Sequence, residues 1–341
     1  MFARNNWYVA AWSNEVQDTP FARTILGTPI VLARIGGVLA AMEDRCCHRG
    51  YPLSLGRITE ATLQCGYHGL RFNTEGICVK IPGQDAIPPR ACVRTFPVHE
   101  RNGAIWLWPG DAALADEALI PHYPQHDLPY WKWIGSVVHY EANHLLIYDN
   151  LLDLSHVGYI HGETIGGDAE THSNAQVEIE RNGRQISVVR WLRDSVPPPT
   201  YLASVPFAGR VDRWQVTRFV PGLITISAGA KDVGTVRDAD DFEGGYSSHS
   251  FQAITPETEH TSFYFWSTGI DTRRFGDDML DVKLQHGTKT FEEDRVAITA
   301  QYRRRIAEPD RALVDIRADG PGLAARRIFQ SMADAELARA G

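Results

Sequence analysis

The sequence predicts an α+β protein with two domains, a small all-β domain followed by a larger domain that combines strands with one long helix. Three observations support this fold class. Short strand-like runs separated by glycine and proline turns fill the first third of the chain. Later strand-like runs precede a helical pattern from about Asp277 to Ala307. Between them, from Asp111 to Pro129, lies an irregular, proline-bearing connection, so we expect domains at residues 1–118 and 119–341.

Two sets of runs define the strands. Gly36 and Gly37 separate the first pair, which is typical of a β-hairpin turn. The predicted strands of the first domain are residues 30–34, 38–42, 70–72, 93–98 and 104–108. Those of the second domain are residues 177–179, 186–191, 214–220, 224–228 and 262–266.

Composition excludes several classes of protein. The chain has 341 residues, enough for two cores, and its 42 acidic and 34 basic residues give a net charge of -8, which argues against nucleic acid as a partner. The start has no basic-then-apolar signal, and no run of eighteen apolar residues occurs, so we expect neither secretion nor membrane spanning. Five cysteines, an odd number, do not suggest a disulfide framework. We therefore expect a cytoplasmic protein.

Two cysteine–histidine pairs form the first chemical motif. One residue separates Cys46 from His48, and Cys65 and His68 follow as a second pair. A Rieske [2Fe-2S] cluster needs this donor set, with two thiolates on one iron and two imidazoles on the other. Structural zinc is the alternative, but its usual order places both cysteines in one pair and both histidines in the other. The mixed pairs favour the cluster.

A second motif begins at Asn150 and continues with Asp153, His156 and His161. On a helix Asn150, Asp153 and His156 follow at intervals of three residues, which brings a carboxylate within a turn of an imidazole. His161 follows five residues after His156, so both histidines reach one ion only if the helix ends or deforms between them. Gly158 is the residue at which we expect this.

A carboxylate ligand is expected from the long helix. Two histidines and one carboxylate on one face form the triad with which non-heme Fe(II) oxygenases admit dioxygen. Asp294 shares a helix face with Phe291 and Ile298, which predicts that it points toward the apolar interior, where a carboxylate is costly unless it is paired or bound to metal. Glu292 and Glu293 are the rival ligands.

These motifs together resemble the oxygenase component of Rieske non-heme iron oxygenases, in the group of vanillate and dicamba O-demethylases. The resemblance includes the two metal motifs, the opening residues 4–10, the segment 255–259 with the strand-like run after it, and Glu293 and Asp294 on the late helix. It spans nearly the whole chain. It implies a helix-grip (Bet v 1/START-like) catalytic domain, in which a curved antiparallel sheet holds the long helix, with one [2Fe-2S] cluster and one mononuclear Fe(II) per subunit.

The resemblance also implies partners and a reaction. It implies a head-to-tail homotrimer in which Asp153 links His68 of the partner subunit to the iron ligand His156. A separate NADH-dependent flavin and iron-sulfur reductase would supply electrons, and O2 and a small aromatic substrate would be consumed. The expected reaction is O-demethylation of a methoxylated aromatic acid to a phenol and formaldehyde.

Substrate contacts and reaction type leave alternatives open. His249 and Gln252 are candidate pocket residues, and Arg190 and Arg218 are candidates for pairing with a substrate carboxylate, although each also fits an exposed strand position. Hydroxylation of an aryl methyl group or ring, or N-demethylation, would use the same iron. A pure Rieske electron carrier and a grip domain that only binds an apolar ligand are the non-enzymatic alternatives.

Overall fold

The fold is described from a computed structural model, which covers residues 2–340 without the side chains of Glu163 and Ala340. Its contacts divide the chain into two units. The first comprises the chain up to His122 together with Thr255–Glu259 and the segment that begins at Ala335, and the second comprises Tyr123–Ile254 and His260–Asp334. The boundary near residue 118 stays a proposal, placed in the irregular connection that these units share.

The first unit is built from three small antiparallel sheets, as an all-β domain requires. The sheet orders are β1-β10-β9, β2-β3-β4 and β5-β6-β7-β8. Their strands are β1 (Tyr8–Trp12), β2 (Phe21–Ile25), β3 (Thr28–Ile35), β4 (Val38–Glu43), β5 (Arg57–Thr59), β6 (Thr62–Gln64), β7 (Arg71–Phe72), β8 (Cys78–Lys80), β9 (Val98–Arg101) and β10 (Ala104–Leu107).

One predicted hairpin is present in this unit, and one predicted strand is not; glycine and proline explain both results. Gly36 and Gly37 both have positive φ, at 59° and 83°, which lets β3 turn directly into β4. The strand predicted at residues 93–98 was wrong, because the regular pairing begins only at Val98. Pro97 has no N–H to donate to a ladder, and Thr95 makes a single isolated bridge to Met42.

The second unit contains one seven-stranded antiparallel sheet with the order β11-β17-β16-β15-β14-β13-β12. All five strands predicted from the sequence lie in it. Its strands are β11 (Trp131–Tyr140), β12 (Gln176–Asn182), β13 (Gln185–Ser195), β14 (Val211–Val220), β15 (Leu223–Asp232), β16 (Tyr246–Pro256) and β17 (Ser262–Asp271).

One long helix, α5 (Asp277–Ala307), packs against β11 and β17. Its bounds agree with the predicted helical pattern, because no proline interrupts the run and Gly276 precedes it in an extended conformation. The other helices are α1 (His144–Leu152), α2 (Val157–Ile160), α3 (Ala169–Ser173), α4 (Pro199–Leu202) and α6 (Gly320–Ala340). Short 3-10 helices are Ser13–Glu15, Leu53–Leu55, Ala112–Leu114, Glu117–Leu119, Pro124–Asp127, Leu154–His156 and Arg317–Asp319, and Gly162–Gly166 forms a π-helical turn.

This sheet and α5 form the predicted helix-grip arrangement. Aromatic and aliphatic side chains fill the space between them, with Tyr264 and Trp266 of β17 packed edge-on or tilted against Phe291 of α5. No helix between residues 2 and 340 combines the length and the apolar character that crossing a bilayer requires.

Candidate metal centres and cavity

Two loops of matching geometry carry the cysteine–histidine pairs. The amide of Cys46 donates to the carbonyl of Tyr51, and the amide of Cys65 donates to that of Leu70, five residues ahead in each case. In both loops the fourth residue after the cysteine is a glycine with φ near +70°, whose amide donates back to the cysteine carbonyl. The positive φ requires glycine, so the sequence builds each loop in the same way.

The donor set fits a cluster rather than isolated residues. Cys46 and Cys65 are free thiols, each 2 % exposed, and the rings of His48 and His68 lie 4.6 Å apart between centroids. Burial raises the pKa of Cys46 to about 12, with the neighbouring Cys65 adding to the effect. A thiolate in such surroundings needs a metal cation, which removes the proton outright. The four residues are therefore placed to hold a [2Fe-2S] cluster.

The second motif is not a continuous helix. Helix α1 ends at Leu152, and Asp153 is extended at φ -117° and ψ 95°. The Asp153 carboxylate accepts hydrogen bonds from the amide of Ser155 at 2.9 Å and from its hydroxyl at 3.0 Å, which starts a new turn. The break was expected at Gly158, and it comes earlier. Gly158 instead allows close packing, because a Cβ there would lie 2.5 Å from the Cα of Ala169.

This break brings three candidate ligands to one point. Atoms of His156, His161 and Asp294 lie within 4.8 Å of one another. Oδ1 of Asp294 is 3.1 Å from Nε2 of His161 and 3.5 Å from Nε2 of His156. Ligands about 2.1 Å from a common ion and roughly at right angles have separations of this kind. The three residues therefore fit a mononuclear iron with open positions.

Hydrogen bonds on the outer side fix both imidazoles in the orientation that a metal needs. Nδ1 of His156 lies 2.7 Å from the backbone carbonyl of Asp153, and Nδ1 of His161 lies 2.7 Å from Oε2 of Glu293. Both acceptors require an N–H at Nδ1, so each Nε2 presents its lone pair to the centre. Asn150 adds a donor beside them, with Nδ2 3.0 Å from Oδ1 of Asp294.

The surroundings shift the pKa values of His156 and His161 in opposite directions. Burial lowers the pKa of His156, which favours the neutral ligand form. Burial also acts on His161, but hydrogen bonds and charge from Asp294 and Glu293 outweigh it and raise the pKa of that ring. Two carboxylates beside one imidazole thus favour a positive charge at this point, which a metal cation supplies.

A cavity of about 150 Å³ opens from the three ligands. A cavity of this size holds one benzene ring in another protein. Strands β14 to β17 supply one wall and α5 supplies another. Its apolar lining includes Leu151, Leu154, Val157, Ile165, Ile226, Ala228, Trp266 and Phe291, and its polar lining includes Gln215, Ser248, Ser250, Gln252, Lys283 and His286.

The structure separates the candidate substrate residues. Gln252 lines the cavity, where its amide accepts from the hydroxyl of Tyr264 at 2.7 Å. His249 lies outside the lining, with Nδ1 2.9 Å from Oγ of Ser227, because neighbouring residues of β16 face opposite sides of the sheet. We therefore keep only Gln252 as a candidate substrate contact.

Neither arginine candidate reaches the cavity. Arg190 is buried and donates to the carbonyl of His172 at 2.8 Å, and Arg218 is exposed and pairs with Asp240 at 3.4 Å. Of the rival ligands, Glu292 is exposed and pairs with Arg295 on its own helix. Sequence reasoning missed Lys283, although it lies on the same face of α5 as Asp294, eleven residues earlier.

Fold and site together define an iron-dependent oxygenase with a Rieske domain. Family models agree with this class: a model of the Rieske [2Fe-2S] domain matches residues 6–97, and a model of the vanillate O-demethylase oxygenase C-terminal domain matches residues 140–335. The chain belongs to the Rieske non-heme iron oxygenases of the vanillate O-demethylase oxygenase family. It is a monooxygenase component whose cofactors are a [2Fe-2S] cluster and a mononuclear iron.

Its relatives include enzymes with different named substrates. The iron-sulfur subunit TsaM1 of a toluene-4-sulfonate monooxygenase system from Comamonas testosteroni is 39 % identical over 94 % of this chain and 93 % of its own length. A vanillate O-demethylase oxygenase subunit from Pseudomonas sp. strain HR199 is 35 % identical, over 98 % and 96 %. Among solved structures, dicamba monooxygenase bound to 3,6-dichlorosalicylic acid matches with a TM-score of 0.91 at 32 % identity, over 99 % of each chain.

Proposed function

We propose that this enzyme removes the methyl group of a methoxylated aromatic acid, giving a phenol and formaldehyde. One observation carries the proposal: the three candidate iron ligands, His156, His161 and Asp294, lie at the wall of a largely apolar cavity large enough for one aromatic ring. Named relatives that demethylate vanillate and structural neighbours that bind dicamba support a methyl ether as the reacting group.

The reaction balances with dioxygen and an external reductant. One oxygen atom enters the C–H bond of the methyl group, and the other leaves as water with two electrons and one proton from NADH and a second proton from solvent. The resulting hemiacetal breaks its C–O bond to release formaldehyde and the phenol. Bound iron would supply dioxygen activation, and the cluster would supply electrons one at a time.

The chain's own residues would bind the metal, orient the substrate and exclude water from the cavity. His156, His161 and Asp294 would hold the metal from one side, which would leave the side toward the cavity for dioxygen and the methyl group. Trp266 and Phe291, with rings 4.7 Å apart, cover the cavity wall and keep out solvent that would waste the oxidant.

A panel of methoxylated aromatic acids tests the proposal. The purified full-length protein with both iron centres and a surrogate NADH-dependent reductase should consume O2 and release formaldehyde in equal amounts with at least one of them. Some acids in the panel should carry an aryl methyl group as well as the methoxy group. If these substrates stimulate oxygen uptake but release no formaldehyde, hydroxylation is the reaction and O-demethylation is rejected. The absence of any substrate-dependent uptake would reject the panel's substrate class.

Hydroxylation of an aryl methyl group is the second candidate function. The relative from the toluene-4-sulfonate system favours it, because it is 39 % identical over nearly the whole chain. Toluene-4-sulfonate in the same assay separates the two: a benzylic alcohol from it, with no formaldehyde from methyl ethers, would assign the second function.

We further propose a homotrimer and a separate flavin and iron-sulfur reductase as partners. Asp153 lies three residues before the candidate ligand His156. Its carboxylate would link His156 to His68 of the partner subunit. In the described subunit this carboxylate bonds Ser155, and the backbone carbonyl of Asp153 holds His156. Light scattering tests the trimer.

Asp153→Asn should slow reoxidation of the reduced cluster by O2 and substrate while both metal contents stay unchanged. The cytoplasmic location expected from the sequence stays a prediction.

A further inference from the structure

Lys283 is a buried cation in the wall of the cavity. It is 7 % exposed, and its Nζ donates at 3.3 and 3.4 Å to the carbonyl oxygens of Gly269 and Ser247. None of the carboxylates whose side chains the structure describes forms an ion pair with it. Burying a charge without a counter-charge is costly, so proteins rarely keep one without a function.

The protonation state of this lysine suits an anion. Burial, and then the charge of Arg274, lower the pKa of Lys283 to about 8. The ammonium form therefore still predominates at neutral pH, and a bound anion would favour it further. His286, one turn along α5, also lines the cavity and is held by Oγ1 of Thr200, 3.0 Å from its Nδ1.

Two further polar atoms of the cavity wall have no hydrogen-bond partner among the described residues. They are Nε1 of Trp266 and Oε1 of Gln215, on side chains that are 1 % and 5 % exposed. Buried polar atoms are nearly always paired. One donor and one acceptor left without partners on side chains that line the cavity indicate a polar ligand, and this observation does not depend on Lys283.

Their positions along α5 place Lys283 and the candidate iron ligand Asp294 at different ends of the cavity. Lys283, Gly287, Thr290 and Asp294 all line the cavity, at i, i+4, i+7 and i+11 of the helix. Eleven residues correspond to about 16 Å of helix length, which leaves room for an aromatic ring between the two side chains. At Gly287 the indole of Trp266 packs directly against the helix, because a Cβ there would lie 2.8 Å from its Cζ3, so the ring of Trp266 forms this part of the cavity wall.

We propose that Lys283 binds the anionic oxygen group, a carboxylate or a sulfonate, of an aromatic substrate whose opposite side faces His156, His161 and Asp294. This inference rests on the proposed function of the cavity and specifies how that cavity selects its substrate. Because the two groups lie at different ends, the enzyme should accept a methyl-bearing substituent meta or para to the anion and reject it in the ortho position.

Binding to the full-length protein with both iron centres tests this assignment. The probes for calorimetry are 4-methoxybenzoate and its neutral analogue 4-methoxybenzamide, and toluene-4-sulfonate and methyl 4-tolyl sulfone. The unmodified protein should prefer at least one anion over its neutral analogue by about tenfold or more. The tighter of the two anions identifies the group, and 2-methoxybenzoate should bind more weakly than 4-methoxybenzoate.

Lys283→Met supplies the residue-specific arm. It should weaken binding of the preferred anion by about tenfold or more and change binding of the neutral analogue by less than about twofold. Lys132→Met is the matched control, because Lys132 is exposed and pairs with Asp277 outside the cavity. It should leave both affinities unchanged.

Stability separates this role from a structural one. Without ligand, Lys283→Met should unfold at the same or a higher temperature, because an unpaired buried charge is removed. Equal losses for the anion and its neutral analogue would overturn the assignment, as would an unmodified protein that does not prefer anions, even if the variant does not fold. Formaldehyde release tests the proposed function separately: tight anion binding without formaldehyde would reject demethylation and leave the role of Lys283 standing.

Discussion

Nδ1 of His161 and Oε2 of Glu293 lie 2.7 Å apart, and the other ring nitrogen of His161 faces Asp294 at 3.1 Å. Glu293 and Asp294 are neighbours in α5, so adjacent positions supply both a candidate metal ligand and the carboxylate that orients a second candidate ligand, His161. Glu293 therefore has a different task from that of the rival ligand considered from sequence: it fixes the His161 tautomer and increases the basicity of Nε2.

Glu293→Gln should weaken retention of the mononuclear iron. The amide keeps a hydrogen-bond acceptor but loses the charge, so we expect iron affinity to fall by about tenfold. Dialysis against a graded chelator series, followed by iron analysis, measures it. Glu292→Gln is the matched control, because the neighbouring Glu292 is exposed and pairs with Arg295. Equal iron loss in both variants would contradict the role of Glu293.

His161→Ala should remove the mononuclear iron and leave the cluster. The iron content should fall from about three to about two per chain, since the cluster holds the remaining two. The visible absorption of the cluster should persist, and activity should vanish. Cys65→Ala is the reciprocal variant and should lose the cluster absorption. Turnover by Asp294→Ala with iron bound would show that the three ligands are wrongly assigned.

Gly287→Ala should destabilise the protein, although alanine normally stabilises a helix interior relative to glycine. A Cβ at this position would lie 2.8 Å from Cζ3 of Trp266, so the indole must shift into the cavity. We expect a loss of about 1–3 kcal/mol in the free energy of unfolding, with weaker binding of one-ring ligands.

Chemical unfolding and calorimetry measure these two effects. Gly209→Ala is the control, because no atom lies within 4 Å of the position a Cβ would take there. A more stable Gly287→Ala with unchanged ligand affinity would mean that Trp266 does not form a rigid cavity wall.

Patterns with a fixed period were predictable from sequence. The helical repeat predicted α5 from Asp277 to Ala307, and alternating apolar residues predicted five strands of the large sheet. The cysteine–histidine spacing predicted the two loops of the first unit, because each loop is local and depends on a glycine with positive φ.

Features decided by competition or by tertiary packing were not predictable. Aspartate is favoured at a helix cap over a helix interior, but the spacing of Asn150, Asp153 and His156 also fits a continuous helix, and only the structure shows the Asp153 carboxylate bonding Ser155 where α1 ends. A lysine within a helical pattern is expected to be exposed. Lys283 is buried because the sheet packs against α5, and this packing depends on strands that are distant in sequence. Strands β11 and β16 and helix α6 were not predicted from the sequence either.

His172 should make stability fall as the pH decreases. Its ring is fully buried in α3, and Nε2 donates to the carbonyl of Gly166 at 2.9 Å. Burial, with the nearby charge of Arg213, lowers the pKa of His172 to about 4. The unfolded chain binds a proton there below about pH 6.5, whereas the folded chain does not until about pH 4. The stability present above pH 6.5 is therefore lost as the pH falls through this window.

His172→Gln tests this sign directly. Glutamine retains an N–H donor for the carbonyl of Gly166 but does not titrate, so the variant should lose less stability on acidification. By about pH 5 the difference in free energy of unfolding between unmodified protein and variant should have moved in favour of the variant by about 2 kcal/mol relative to pH 8. Urea unfolding across this pH range, with cluster absorption recorded in parallel, measures it. Parallel pH curves for the two proteins would show that the pKa of His172 is the same in the folded and the unfolded chain.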